Sequence, residues 1–475
     1  MRDRIQTVGS TPALILAAAA LAQFLVAFDM SVMNVALPDI QSSLGFNDAD
    51  LSWVVNAYAL TFGGLLLLGG RLCDVFGTRR VLLVGFTIFG VVSALGALST
   101  EPWMLVVARA VQGLGAALIA PAGLAALSST FPTGKERAKA FGIGAMASAG
   151  GGAIGVVLSG LLTDAVDWRL VMFSAVPFAV IAGIAAFVGM PAYARGEKQG
   201  VDALGAALVT GALVLLAYTV IQTEARGWTD GYVLAGFGLT IALLAAFTVV
   251  ETRVDAPLVR FTTLRRPRIA MANVIMCVLC AAQFSGFYFV SLYLQRGLGY
   301  SPTRTGLAFL PFCIGLVFAI IASTKLLPRI GAKPLLTVGT AMASIGLLWF
   351  SRMNLGGDFL ATLLGPSLIL SLGIGLCFMP LSNIATADLP ASEVGMASGL
   401  LSTSRQIGGS IGLAALVSVA AAATSGYDGS SESALVHGYS TALFACAGLL
   451  AVGFVLSLMF PVKSEAQILA NSPRT

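Results

Sequence analysis

Long apolar stretches separated by short polar connectors recur along the whole chain, and each stretch is about the length of a membrane crossing. At roughly 20 apolar residues per span, helices are predicted near 13–38, 51–70, 80–98, 103–127, 139–163 and 168–189. Two more follow near 203–222 and 231–250, and six further ones near 268–292, 303–325, 334–351, 358–382, 395–420 and 437–460. The pattern predicts an all-α integral membrane fold of about 14 transmembrane helices, because only internally hydrogen-bonded helices or closed barrels can cross a bilayer.

The connectors then orient the chain, since Lys and Arg accumulate in cytoplasmic loops. Alternate connectors carry Arg71, Arg79 and Arg80; Lys135, Arg137 and Lys139; Arg195 and Lys198; Arg253, Arg260, Arg265, Arg266 and Arg268; and Lys325, Arg329 and Lys333. Arg2, Arg4, Lys463 and Arg474 put both termini on that side. The opposite connectors hold only Arg169, Arg226, Arg296, Arg304 and Arg352. An even number of spans with both ends in the cytoplasm is expected.

Composition adds exclusions. Charged residues make up 10% of the chain, hydrophobic ones 57%, and the mean hydropathy is +0.91, whereas a soluble chain carries about a quarter charged residues. The connectors leave no room for a sizeable extramembrane domain. The net charge of +5 is scattered through loops, so no nucleic acid partner is expected. The first apolar segment, 13–38, is too long for the core of a cleavable signal peptide. Cys73, Cys277, Cys280, Cys313, Cys377 and Cys446 lie in or beside apolar segments as small hydrophobes. Cys277 and Cys280 have CxxC spacing but no His or acidic neighbour, so no metal is expected. The chain does not read as an enzyme: the single histidine, His437, opens the last span, and Thr133–Lys135 lacks a Gly-rich phosphate loop.

Two segments recur. Arg71–Gly85 matches Lys325–Gly339, with Gly77 over Gly331, Arg79 over Lys333 and Gly85 over Gly339. The fifth span aligns with the thirteenth without gaps: Ala140, Gly142, Gly151, Gly152, Ile154 and Gly155 fall over Ala397, Gly399, Gly408, Gly409, Ile411 and Gly412. Such duplication is how transporters build alternating access around a midplane site. The expected organisation is a six-helix bundle over 1–190, a linker and two-helix insertion over 191–266, and a second six-helix bundle with a short tail over 267–475.

Several motifs resemble the major facilitator superfamily, specifically its fourteen-span drug:proton antiporter branch. They are FDMSVMNVALPDI (Phe28–Ile40, with Ser31 where Thr is usual), GRLCDVFGTRR (Gly70–Arg80), ARAVQGLGAA (Ala108–Ala117) and PTGKERAKAFG (Pro132–Gly142). The fifth-span motif departs from the pattern: Val156 follows Gly155 where Pro is typical, and Ser159 replaces the first of two glycines. The resemblance implies two bundles related by pseudo-two-fold symmetry plus two inserted helices, and a secondary transporter that exports drugs in exchange for protons.

Asp29 is a carboxylate inside an apolar span, which is costly enough to mark a functional site. A carboxylate that alternately meets Arg109 and water can load and release a proton. At 1.5 Å per residue, Asp29 lies about 14 Å and Arg109 about 9 Å from the outer ends of their helices. They are expected to meet, either as a coupling pair or as a permanent packing pair. The resemblance implies the coupling role for Arg109. Gln112 shares its helical face, and Gly113 and Gly115 leave room for a neighbouring helix. Arg405 with Gln406 repeats the Arg and Gln pairing in the thirteenth span and is placed in the central cavity, with Asn34, Gln112, Gln283, Phe287, Tyr288 and Asn383 as further lining candidates. By resemblance, Asp74, Arg79, Arg80 and Arg137 form a cytoplasmic gate; Pro328 aligns with Asp74, so the second half lacks the acid.

One intramembrane acid against two arginines favours neutral, amphipathic or weakly anionic substrates over cations. A proton symporter or facilitated importer, and a lipid-handling or receptor protein, remain as rival readings. No cofactor is expected beyond a proton gradient. Expected partners are a small-molecule substrate, protons and membrane lipids, and the expected setting is a monomer in a bacterial inner membrane.

Overall fold

The computed structural model describes residues 11–131, 134–191, 202–254, 257–259, 264–354, 360–386, 389 and 391–459. Arg2, Arg4, Arg195, Lys198, Arg260, Lys463 and Arg474, and the side chain of Lys135, lie outside the described residues. Among those described there are 14 helices long and apolar enough to cross a membrane, and no strand. They are α1 (Pro12–Leu44), α2 (Trp53–Phe76), α3 (Thr78–Ala97), α4 (Pro102–Thr130), α5 (Gly134–Ala165), α6 (Trp168–Gly189), α7 (Ala203–Arg226) and α8 (Gly231–Arg253). The rest are α9 (Pro267–Gly297), α10 (Pro302–Ile330), α11 (Ala332–Phe350), α12 (Thr362–Thr386), α13 (Ala391–Ser425) and α14 (Ser431–Leu458). Many exposed positions on the outer helices carry large apolar side chains, among them Val84 and Val91 on α3, Ile181 and Ile184 on α6, Ile241 on α8 and Ile314 and Phe318 on α10. That is the surface a lipid solvent requires.

One boundary differs from its sequence reading in a useful way. The apolar run was expected to stop at Pro38, yet α1 continues to Leu44 and ends on Gly45 in the left-handed region (φ 75°). Proline removes one donor from a helix without ending it, provided the freed carbonyl finds another partner. The carbonyl four residues back is that of Asn34, and the hydroxyl of Ser291 on α9 donates to it at 2.8 Å.

Within the first half, α1 packs on α5 and α6, and α4 packs on α2 and α3. Within the second, α9 packs on α13 and α14, and α12 on α10 and α11. The recurrent segments occupy equivalent places. A side chain at Gly151 or Gly155 of α5 would meet the α1 backbone at Phe24 or Phe28. One at Gly408 or Gly412 of α13 would meet α9 at Cys277 or Ala281. Gly77 and Gly331 both end a helix with positive φ, 85° and 81°, a conformation glycine adopts without steric cost.

The halves touch each other chiefly along two seams, α2 against α13 and α5 against α10, with a smaller contact of α1 on α9. The inserted helices pack on one another, and α7 covers the α2–α13 seam. Leu60 of α2, Leu213, Ala217 and Ile221 of α7 and Ala414 of α13 form one buried cluster there. With fourteen crossings among the described residues, the start of α1 at Pro12 and the end of α14 at Leu458 lie on one side, here termed the terminal side.

At the terminal side of the insertion, two carboxyls are buried together. Asp202 caps α7 by accepting from the Gly205 amide at 2.7 Å, and Glu251 of α8 accepts from the amide of Val259 in the following segment. The two acids lie within hydrogen-bonding range of each other, and Asp202 Oδ2 and Glu251 Oε2 have no donor. Glu251→Gln supplies an N–H for the Asp202 oxygen and keeps a carbonyl for Val259. It is expected to raise thermal stability in detergent by on the order of 1 kcal/mol, whereas Glu251→Ala should lower it. A Glu251→Gln protein melting at or below Glu251→Ala would contradict this.

Candidate functional site

The middle of the first half holds a closed polar network in an otherwise apolar core. Asp29 sits midway along α1, so its carboxylate is presented about 23 Å from the far end of that helix at 1.5 Å per residue. Arg109 enters from the first turns of α4. The two form an ion pair at 2.6 Å, each residue 1% exposed. Gln112, fully buried one turn along α4, donates to Asp29 Oδ1 at 3.3 Å and accepts from Arg109 Nη1 at 2.7 Å.

Three groups complete the network. The Val54 carbonyl of α2 accepts from Arg109 Nε at 2.9 Å, and the Tyr58 ring lies 4.5 Å under the guanidinium. Ser93 of α3 accepts from Gln112 Nε2 at 2.6 Å and itself donates to the Phe89 carbonyl. Burying a guanidinium is tolerable only when it is paired and its donors are used, and this one is held by α1, α2 and α4 at once. Gly113 and Gly115 make the close packing possible: a side chain at Gly113 would run into the Tyr58 carbonyl, and one at Gly115 would press on Phe89.

On the side away from the termini the halves are joined. Gln295 Nε2 of α9 donates to the Val35 carbonyl at 2.9 Å, one residue beyond the Ser291 bond to Asn34. The Thr303 amide at the start of α10 donates to Asp164 of α5 at 2.8 Å, and its hydroxyl to the Gly160 carbonyl at 3.2 Å. A carboxylate at a helix N-terminus is favourably placed against the backbone dipole. Phe287 stacks on Phe309 at 5.0 Å and meets Phe312 edge-on at 4.7 Å, which adds an aromatic floor on α9 and α10.

On the terminal side, α12 and α13 present exposed polar residues. Ser382 and Asn383 of α12, and Ser398, Ser402 and Arg405 of α13, are all exposed. Gln406 is buried, with its amide 3.6 Å from the Met30 sulfur, next to Asp29.

The remaining expected site residues are distributed as follows. Asn34 turns its amide back to the Met30 carbonyl at 2.9 Å. Gln283 is buried, with its carbonyl oxygen unpartnered. Tyr288 is packed in the second-half core against Phe289 rather than lining open space. The expected gate residues sit as follows: Asp74 is exposed and pairs with Arg71 at 3.7 Å, Arg79 donates to the Phe187 carbonyl at 2.7 Å, Arg80 is exposed, and Arg137 lies over the Phe141 ring. Cys277 and Cys280 turn to the Ser404 carbonyl and the Met276 sulfur. Val54, Tyr58 and Ser93 escaped the sequence reading. A backbone carbonyl leaves no sequence signal, and a lone Tyr or Ser in an apolar span reads as packing.

Known proteins resemble this chain in sequence and in fold. The family model described as Major Facilitator Superfamily matches residues 19–413. The chain is 37% identical to the cephamycin export protein of Amycolatopsis lactamdurans, over 97% of this chain and 94% of that protein. It is 36% identical to the puromycin resistance protein of Streptomyces alboniger, over 94% and 90%. It is 32% identical to the tetracenomycin C resistance and export protein of Streptomyces glaucescens, over 84% and 74%. Among solved structures, a nucleoside transporter superposes with a TM-score of 0.68 at 11% identity, covering 95% of this chain and all of that one. A bacterial homolog of the human lysosomal transporter Spinster, in an inward-facing and unoccupied conformation, superposes with a TM-score of 0.68 at 15% identity, over 94% and 97%. Those two likenesses concern the fold.

Proposed function

This chain belongs to the major facilitator superfamily, and we propose that it exports small amphipathic compounds, such as drugs, antibiotics or related metabolites, in exchange for protons by alternating access. The observation that carries the reading is the buried Asp29–Arg109 pair, set midway between a far side where the halves are hydrogen-bonded and a terminal side with exposed polar residues. Asp29 has two stable arrangements available. Ionised, it is held by Arg109 and Gln112; protonated, it loses its charge attraction and frees Arg109 to reorganise α1, α2 and α4. A conformational change that swaps which side Asp29 meets thereby moves a proton against substrate.

The loop charges put both termini in the cytoplasm, so the sealed side is the outer one and the state described is open inward. The antibiotic export and resistance proteins among the relatives support the outward direction of transport, and their actinobacterial origin supports a bacterial inner membrane.

The test is Asp29→Asn in proteoliposomes. Substrate movement driven by an imposed pH gradient should fall to the level of protein-free vesicles, while substrate-for-substrate exchange persists. Gradient-driven transport at the wild-type rate would remove Asp29 from coupling.

A further inference from the structure

We infer that Arg405 is the docking point for an anionic group, a carboxylate in the first instance, on the transported amphipathic molecule; this rests on the export reading and narrows its substrate class. Ser398, Ser402 and Arg405 fall at i, i+4 and i+7 on α13, so they form one stripe along one face, and all three are exposed. The outer helices expose large apolar side chains such as Val91, Ile184, Ile241 and Phe318, whereas this stripe is polar, charged and carried by α13, the helix that packs on both α2 and α9 between the halves. Other faces of α13 are occupied: Gly408 and Gly412 lie on α9, and Gln406 lies against Gly63 of α2. Ser382 and Asn383 of α12 extend the polar wall.

Arg405 lies about 21 Å along α13 from its terminal-side end at 1.5 Å per residue. A cation at that depth marks a functional site by default. Arg109 has Asp29; Arg405 has no carboxylate partner among the described residues, only the Phe378 ring of α12 at 5.3 Å. A planar guanidinium fits a carboxylate with two parallel hydrogen bonds. The half-buried Phe378 beside it gives the apolar body of the same molecule a surface. The missing counter-charge therefore comes with the substrate. The site also touches the proton site, because Gln406 follows Arg405 in sequence and contacts Met30, which follows Asp29.

The experiment uses the purified full chain in detergent and two probes that differ only in charge, benzylpenicillin and its methyl ester, with binding measured by calorimetry. The wild type should bind the carboxylate more tightly than the ester by on the order of ten- to a hundredfold. Arg405→Gln should bring carboxylate affinity down to that of the ester, and Arg405→Lys should restore part of the preference. Equal binding of both probes by the wild type, binding of neither, or an equal loss of both in Arg405→Gln would overturn the proposal. The export reading fails separately if the carboxylate binds through Arg405 but is not carried across proteoliposomes.

Discussion

Arg109→Lys is expected to fold and insert yet to lose proton-driven transport as completely as Asp29→Asn. Arg109 uses two separate nitrogens at once: Nε on the Val54 carbonyl at 2.9 Å, and Nη1 shared between Asp29 Oδ2 at 2.6 Å and Gln112 Oε1 at 2.7 Å. A lysine ammonium is a single compact donor group and cannot occupy both places. It can stay near Asp29, which keeps the charge balance and hence the fold. It then forfeits either the bond to the Val54 carbonyl or the one to the Gln112 side-chain oxygen, in a core that excludes water. Arg109→Ala goes further, since removing one partner of a buried ion pair costs about 3 to 5 kcal/mol. The cheapest escape for the orphaned carboxylate is to remain protonated, so that variant should be both less stable and uncoupled. The measurements are gradient-driven flux in proteoliposomes and melting temperature in detergent. Wild-type flux from Arg109→Lys would mean that the network is a packing device, with coupling elsewhere.

Much of this was legible because a lipid solvent makes sequence signals coarse. Fourteen spans follow from apolar run length alone, and the only acid and arginines placed deep in spans, Asp29, Arg109 and Arg405, are conspicuous by cost. The recurrent glycines could be paired by alignment, and the structure gives them the same task, α5 against α1 and α13 against α9. Side chains whose role depends on a partner helix were not legible. Ser93 and Tyr58 are ordinary residues of apolar segments until Arg109 and Gln112 are placed beside them. Tyr288 has the composition of a cavity residue but points into the second-half core. Asn383 and Arg405, only 22 residues apart along the chain by their numbers, share an open polar side that periodicity alone does not distinguish from a packed one.

Pro38 is the most instructive of these. Read along the chain it is a helix stop; read in three dimensions it creates an acceptor. Without a donor at position 38, the Asn34 carbonyl has no partner within α1, and the ring crowds the turn before it. The Asn34 and Val35 carbonyls are the two that α9 takes, through Ser291 and Gln295.

The double variant Ser291→Ala with Gln295→Ala is accordingly expected to open the far side. Each lost hydrogen bond is worth about 0.5 to 1.5 kcal/mol net, so the pair shifts the balance between closed and open far sides by roughly five- to a hundredfold. The remaining links, Thr303 to Asp164 and Gly160, hold α5 to α10 and not α1 to α9. The α1–α9 edge should therefore part first. Pro38→Ala tests the same cause from the other strand: the restored amide satisfies the Asn34 carbonyl within α1, and Ser291 must compete for it. Spin labels at the exposed Thr100 and Arg352, one on a far-side connector of each half, report the outcome by electron–electron distance measurement in a background without native cysteines. Both variants should populate a longer distance than the wild type, and both should retain the Asp29–Arg109 network, which lies outside the altered contacts. An unchanged distance distribution in the double variant would show that the α5–α10 seam alone keeps the far side shut, and that Pro38 serves something other than closure.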